Sequence, residues 1–572
     1  MKEKIEIAVK KALEELAYSE VPFVVNYSND GIHGDFAVNV AMVLGKKLGE
    51  NPKDLALKII ESVKSQEIPE IEKIEVAGPG FINFHLSNKF FFDQTKNILN
   101  NEGSFGKTDE LNGEKAIFEY TDPNAFKEFH IGHLMSNTIG EALTRLYESV
   151  GGEVTRVSYQ SDIGLNVAKA IWGMIQTRAA FPEDGDSLED KMKYVGDSYS
   201  FGSREYEKDE DTKKEINEIN KKLYAKSDKE LEIYYDKGRE WSILHFEEIY
   251  KKLGTDFKHN FFESQIADRG LEIVKENLAK GIFEESDGAV VYKGEQDGFH
   301  TRVFINSLGL PTYEAKDLAL AEEKKKVLGD FDLSVIITAV EQKEYFNVVK
   351  AVMAKIYPEL AEVTKHISHG MIRFAEGKMS SRSGNIITGE SLILDVEKLV
   401  EEKLTERNLS PELAKSIREE VAVSAIKYSI LKQAPGKDIV FDFEKSLSFE
   451  GDSGPYLQYT AVRAKSVLEK ALASGVVTEE GTAPHHWNTT SLERILYRLP
   501  EVIKRAQNEF APQHLVTYLT EVASTFNSFY GEQQIIDTND PNTPYRLALT
   551  HATVIILRNG LNTLGIKVPS EM

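Results

Sequence analysis

The rhythm of apolar and polar positions changes twice along the chain. Residues 1–108 open with a charged amphipathic helix at Met1-Lys2-Glu3-Lys4. They then pass into strands around His33-Gly34-Asp35-Phe36-Ala37 and Ala77-Gly78-Pro79-Gly80-Phe81-Ile82-Asn83-Phe84. Over residues 113–395 strand and helix patterns alternate, as in an α/β unit. Within it, Ala116-Ile117-Phe118-Glu119-Tyr120 predicts a short buried strand, followed by a Pro/Asn turn. A helix is predicted from His130 to the glycine pair Gly151-Gly152, with Leu143, Leu146, Tyr147 and Val150 at helical spacing and the glycines as C-cap. A charged stretch over 180–285 predicts a mainly helical, solvated insertion, and Asp287-Gly288 before Ala289-Val290-Val291-Tyr292 marks a turn back to strand. Residues 400–572 predict helices to the end.

Composition narrows the class. A chain of 572 residues has room for several domains and a large core. With no cysteine it has no disulfides and no thiolate metal sites, which suits a cytoplasmic protein. No apolar core follows Met1 and no run nears the ~18 apolar residues of a membrane span, so neither a signal peptide nor a membrane partner is expected. The net charge of −23 opposes a nucleic-acid partner. Much of that acidity lies between Asp184 and Asp236, however, which leaves room for a basic surface elsewhere.

Two motifs carry chemistry. His130-Ile131-Gly132-His133 stands at a helix mouth, where unpaired N–H groups and a partial positive charge suit phosphate. The two histidines share a face and can add donors, and Gly132 lets a flat base approach the backbone. Alone, such a pair is more often a capped, solvated turn than a pair of catalytic donors. Catalytic zinc usually takes a third protein ligand, and none follows at helix spacing, so no metal site is expected. The second motif is Gly377-Lys378-Met379-Ser380-Ser381-Arg382-Ser383-Gly384, a glycine-flanked loop with two cations. By itself it reads as a surface loop. One large domain downstream of the first motif, it stands where two halves of a Rossmann-type sheet would close over a nucleotide. In this order and separation the pair resembles the HIGH and KMSKS-like signatures of class I aminoacyl-tRNA synthetases.

Within that class the chain resembles the arginyl-tRNA synthetase family over nearly its whole length. The family's E-x-x-x-P-N-x-x-K-x-x-H-x-G-H segment is matched by Glu119, Pro123, Asn124, Lys127, His130, Gly132 and His133. Tyr313 and Asp317 match its Y-x-x-x-D element, and Glu341-Gln342 its later glutamine. The resemblance implies an α/β fold: a Rossmann-type catalytic core, a small α+β N-terminal domain and an all-α C-terminal anticodon-binding domain. It implies arginine contacts from Glu119, Asp122, Asn124, Tyr313, Asp317 and Gln342. A guanidinium is planar, permanently charged and carries five donors, so fixed carboxylates such as Glu119 and Asp317 suit it. Tyr313 lies one turn from Asp317 on the same helix face.

His130, His133, Lys127, Lys378 and Arg382 are the implied catalytic residues. Gly132, His369, Met371, Lys378 and Ser380 join the two histidines as implied ATP contacts. The implied reaction joins L-arginine to ATP, carried with Mg²⁺, giving arginyl-adenylate and pyrophosphate. Arginine then passes to the 3′ end of tRNA(Arg). Implied tRNA contacts are Phe81 and Asn83, for which sheet packing is the alternative, Tyr459 and Arg463, for which helix–helix packing is the alternative, and Met572. Tyr456, Phe526, Phe529 and Tyr530 are read as packing. The resemblance further implies a monomer that needs tRNA before it activates arginine.

The chain departs from the family pattern at three points. Asp122 stands where a small hydroxyl residue is usual, Ser383 where lysine often follows the arginine, and Asn166 where a glutamine is usual. A rival reading is a catalytically dead tRNA-binding relative, but such a protein is expected to have lost pocket residues that are all present here.

Overall fold

The computed structural model describes every residue except 19, 29–32, 376–387, 405–408, 477–483 and 485. Lys378, Ser380, Arg382 and Ser383 therefore lie outside the described residues.

The described chain forms two compact units. The first comprises Met1–Phe105, Arg463–Leu499 and Glu521–Leu557. Its sheet is antiparallel, in the order Val25–Tyr27, Phe36–Val38, Phe81–Leu86, Ile71–Ala77. Alternation in Phe81–Leu86 sends Ile82, Phe84 and Leu86 into the core, where helices Lys2–Glu15, Val40–Leu48 and Pro52–Lys64 add their apolar faces. Asn51 caps the third of these helices and Ser87 caps Asn88–Asn100, each accepting a backbone N–H. The N-terminal layers also pack on helical residues far along the chain. Buried Asp35 accepts the Leu86 N–H and pairs with Arg494, while Tyr497 meets Phe90 edge-on at 5.2 Å. The 1–108 segment thus shares its unit with later helices, a long-range pairing that local pattern does not reveal.

The second unit, Gly106–Val462 with Pro500–Thr520 and Arg558–Met572, is built on a five-stranded parallel sheet. Its order is Thr364–His369, Leu333–Ala339, Lys115–Glu119, Glu153–Gln160, His259–Phe262. The chain starts at the central strand, builds outward on one side and then crosses to the other. A topological switch point consequently falls between Lys115–Glu119 and Leu333–Ala339, where open α/β sheets bind ligands at the strands' carboxyl ends.

Helices Leu188–Lys208, Glu210–Ala225 and Lys229–Leu253 form the insertion, each started by a capping side chain: Ser187, Asp209 and Asp228. The insertion ends earlier than residue 285, because His259–Phe262 is already the edge strand of the main sheet. Four residues with one buried position are too short to display alternation. Asp287 and Gly288 both have positive φ and turn the hairpin Glu284–Ser286/Ala289–Tyr292, as their chemistry predicts. Beyond residue 400 the described chain is helical except for Ile439–Phe441, which pairs in parallel with Ile372–Phe374. No helix among the described residues is long and apolar enough to cross a membrane.

Candidate active site

The central strand Lys115–Glu119 ends at the switch point, and the next residues are held in unusual backbone conformations. Thr121, Asp122 and Phe126 have φ of 78°, 44° and 65°, a region that residues other than glycine rarely enter. Hydrogen bonds hold the loop there. Ser136 Oγ accepts the Thr121 N–H at 3.0 Å and donates to the Ile337 carbonyl at 2.7 Å. Asn137 Nδ2 donates to Thr121 Oγ1, and Asp122 Oδ1 accepts the Tyr159 N–H at 2.7 Å. The helix Ile131–Ser149 follows. It lies close to Tyr120 because Gly140 carries no Cβ; one built there would stand 2.2 Å from that ring.

His130 is the N-cap of this helix and His133 its third residue, and their rings stack with centroids 3.3 Å apart. Nδ1 of each ring accepts the other's backbone N–H, at 3.3 Å into His130 and 3.2 Å into His133. An imidazole whose Nδ1 accepts must, when neutral, carry its proton on Nε2. Burial, reinforced by Lys127 and the His369 side chain, holds His130 down to about 4. Burial lowers His133 as well, with His130 and Lys127 adding to the effect. Both rings are therefore neutral near pH 7 and present Nε2–H donors.

These donors stand at a cavity of about 510 Å³. His130, Gly132, His133, Asn124 and His369 line it near the helix mouth. Glu119, Asp122, Tyr313, Asp317 and Gln342 line it as well. Asn124 Nδ2 lies 3.5 Å from His133 Nε2, and His369 Nδ1 is 2.8 Å from the Gly370 carbonyl. Tyr313 opens the helix Tyr313–Leu328, half exposed, with the Lys316 ammonium 4.5 Å from its ring centroid.

The carboxylates dominate the electrostatics. Burial pushes Asp317 up to about 8; the Tyr345 hydroxyl, donating at 2.5 Å, opposes this, and the Glu119 and Glu263 charges add to it. Asp122 is raised as well, by burial first and then by the Glu119 charge.

Several expected residues stand elsewhere. Lys127 does not line the cavity; its ammonium lies 4.7 Å from the Tyr199 ring of the insertion. Met371 is also outside it, because the chain turns at Gly370 and Met371 bonds through its backbone to Asp438 and Ile439. Asn83 is buried in the N-terminal sheet, 3 % exposed, so it has no open edge to offer RNA. Phe81 is half-buried beside it. Tyr459 packs edge-on against Phe449. Arg463 lies over Tyr530 at 4.2 Å and reaches Asn527, so it is engaged in helix packing. Phe526 and Phe529 are buried, as packing requires, and Met572 is half-buried.

Other cavity residues carry no sequence signal strong enough to single them out. Arg302 faces the cavity near Tyr345 and Glu314. Glu263 pairs with buried Lys316, and Lys324 pairs with Glu119. The spacing of Lys324, two turns after Asp317, was the one available hint. Among the described residues no group of three His, Cys, Asp or Glu side chains is placed to hold a metal ion.

The parallel sheet, its switch point and the two stacked histidine donors belong to the catalytic domain of a class I tRNA synthetase, as a family match to this stretch of chain shows. The family model of tRNA synthetases class I (R), catalytic domain, matches residues 94–443. The arginyl tRNA synthetase N terminal domain matches residues 2–86 and the DALR anticodon binding domain residues 457–572. The arginine–tRNA ligase of Clostridium kluyveri is 31% identical over 543 residues, covering 94% of each chain. That of Pediococcus pentosaceus is 29% identical over the full length of both. The chain belongs to the arginyl-tRNA synthetase family, the arginine–tRNA ligases. Its fold is that of Thermus thermophilus arginyl-tRNA synthetase, with a TM-score of 0.79 at 23% identity over all of both chains. The Plasmodium falciparum arginyl-tRNA synthetase has a TM-score of 0.78 at 20% identity, covering 100% of this chain and 99% of that one.

Proposed function

We propose that this chain activates L-arginine with ATP, releasing pyrophosphate, and transfers arginine from the adenylate to the 3′ end of tRNA(Arg). The reading rests on one juxtaposition: neutral Nε2–H donors at a helix mouth share a cavity with Glu119, Asp122 and Asp317. The carboxylates receive the substrate's cationic groups, with Tyr313, Asn124 and Gln342 orienting it. The substrate carboxylate then attacks the α-phosphate, and the Pα–O bond to pyrophosphate breaks. His130, His133 and the helix N-terminus donate to the charge that builds on the phosphate oxygens. No covalent enzyme intermediate is required; positioning and charge stabilisation do the chemistry. In the second step a ribose hydroxyl of the terminal adenosine attacks the activated carbonyl and AMP leaves.

Gly132 gives the adenine access to the backbone, with His369 beside it. Lys127, Lys378 and Arg382 are assigned to the phosphates and Ser380 and Met371 to ATP by family position alone. Magnesium is expected with the triphosphate, as part of the substrate. The assigned domains are 1–108 for the tRNA elbow, 113–395 for catalysis and 400–572 for the anticodon. Phe81, Tyr459, Arg463 and Met572 are the candidate RNA contacts whose placement leaves them part-exposed. The protein is assigned as a cytoplasmic monomer.

ATP–pyrophosphate exchange tests the reading. Exchange is expected with arginine and cognate tRNA together and not with lysine. Tight tRNA binding without exchange under any of these conditions would instead establish a non-catalytic tRNA-binding protein.

A further inference from the structure

Among the carboxylates lining the pocket, Asp122, Asp317 and Glu119 each already have one oxygen facing a donor or cation of the protein itself. Asp122 Oδ1 accepts the Tyr159 N–H at 2.7 Å, and Asp317 Oδ2 accepts the Tyr345 hydroxyl at 2.5 Å. Glu119 Oε2 faces the ammonium of Lys324 in an ion pair whose side chains are 4% and 3% exposed. The second oxygen of each has no hydrogen-bond partner among the described residues. Three free oxygens on three separate carboxylates suit a planar cation with several divergent N–H groups better than a point charge.

Lys324 has the strangest position of the three donors. It lies seven residues beyond Asp317 on the helix Tyr313–Leu328, hence on the same face two turns on. Its side chain lines a second, water-sized cavity of about 30 Å³, with Phe331, Ile336 and Phe346 as apolar walls. Glu119 and Asp317 line both cavities, so Lys324 meets the carboxylates away from the open site. A lysine buried to 2% exposure among such walls loses its hydration, and an ion pair of this kind is poor value for stability alone.

The other charged and titratable groups around it are accounted for. Lys350, from the helix Lys343–Ile356, lines the same small cavity but gives its ammonium to the Thr364 carbonyl at 2.5 Å. His366, from the strand Thr364–His369, is held down to about 4 by burial and the nearby His369 and Lys343, and is neutral. Tyr345 is engaged with Asp317, and Lys316 with Glu263. Lys324 is the cation paired within the Glu119–Asp122–Asp317 group among the described residues.

We propose that Lys324 is a positioning residue for substrate recognition: it holds one oxygen of Glu119 from behind and supplies a fixed positive charge beside the carboxylate group that receives a guanidinium. This deepens the arginine-activating reading and rests on it. Its charge acts on Asp317 and Asp122 in the direction of ionisation, opposing their burial. Without it, Asp317 and Asp122 would be driven further toward their protonated forms.

The test compares wild type with Lys324→Met, Lys324→Gln and Lys324→Arg in ATP–pyrophosphate exchange with tRNA present, from pH 6 to 9. For Met and Gln, KM for arginine should rise about tenfold or more at pH 7, and its pH midpoint should move up by about one unit. KM for ATP and kcat at saturating arginine should change little. Arginine at this position should restore most of the affinity. A Glu119→Gln change should make the Lys324→Gln effect largely disappear, because the two act as one pair. If the Met variant does not fold, the Gln variant carries the same comparison. Unmoved midpoints, or effects of Glu119→Gln and Lys324→Gln that simply add, would overturn the assignment. An inactive wild type would overturn the arginine reading itself, which keeps the two failures apart.

Discussion

Arginine binding by this chain should be linked to proton release, and the size of the linkage follows from Asp317. Its carboxyl is pushed up to about 8 by burial and by the neighbouring Glu119 and Glu263 charges. At pH 7 only about one molecule in ten then carries it ionised. A permanently charged guanidinium binds the ionised form, so the apparent dissociation constant is the intrinsic one divided by the ionised fraction. Affinity should therefore weaken about tenfold for each pH unit below 8, roughly 50-fold between pH 8 and pH 6, and level off above. The stacked histidines do not contribute to this slope, since burial keeps both neutral across the range.

Isothermal titration of arginine into the protein, in two buffers of different ionisation enthalpy, reads the proton count directly. Release of about 0.9 proton or more is expected at pH 7. Asp122, raised for the same reason, adds to it if the substrate's ammonium meets that residue. Asp317→Asn should remove most of one proton from the count. A pH-independent affinity with no proton released would refute the reasoning, whichever enzyme the chain proves to be.

Other consequences are simpler to check. His133→Ala should slow pyrophosphate exchange by about 10²–10³ with little change in arginine KM; a loss under about fivefold would mean only the helix terminus matters. Gly140→Ala places a methyl 2.2 Å from the buried Tyr120 ring, so a cost of roughly 1–3 kcal/mol is expected in denaturant unfolding, and unchanged stability would disprove this packing. Arg494→Met leaves buried Asp35 without its ion-pair partner; a loss of ~3 kcal/mol should appear as faster proteolysis within Val25–Leu86, and an unaltered digest would count against the shared unit. Lys427, buried while donating to the Leu253 and Gly565 carbonyls, is lowered to about 7 by burial. The unfolded chain binds more protons there between pH 7 and about 10, so stability should rise with pH over that window. Lys427→Met should flatten that rise, seen in unfolding curves at pH 7 and 9.

Much of the architecture was legible because it rests on local rules. The strand ending at Glu119, the helix from the HIGH segment and the Asp287-Gly288 hairpin follow from apolar runs and turn chemistry. The ring of residues around the cavity was legible through the family resemblance, since strands and helices far apart in sequence contribute to it. What stayed hidden depends on tertiary pairing. Nothing in the sequence says that Lys324 pairs with Glu119, or that Tyr345 turns its hydroxyl to Asp317. The reciprocal Nδ1 caps of His130 and His133 likewise need coordinates, and they decide which ring nitrogens can donate. The burial of Asn83 was hidden for a related reason: alternation assigns it to the outer face of its strand but does not say that face is covered. The ring beside Lys127 was hidden too, because the insertion, whose packing the charge pattern leaves open, supplies Tyr199 there.

The central claim is that this cavity reads a planar cation and joins it to RNA. The most direct measurement is charging of a tRNA(Arg) transcript by the purified chain, with ATP and either radiolabelled arginine or radiolabelled lysine. The account predicts acid-precipitable arginine on the tRNA, lost in the Asp317→Asn and His133→Ala proteins, and no lysine. Failure to charge arginine under conditions where the protein is folded and binds the transcript, or equal charging of lysine, would contradict it.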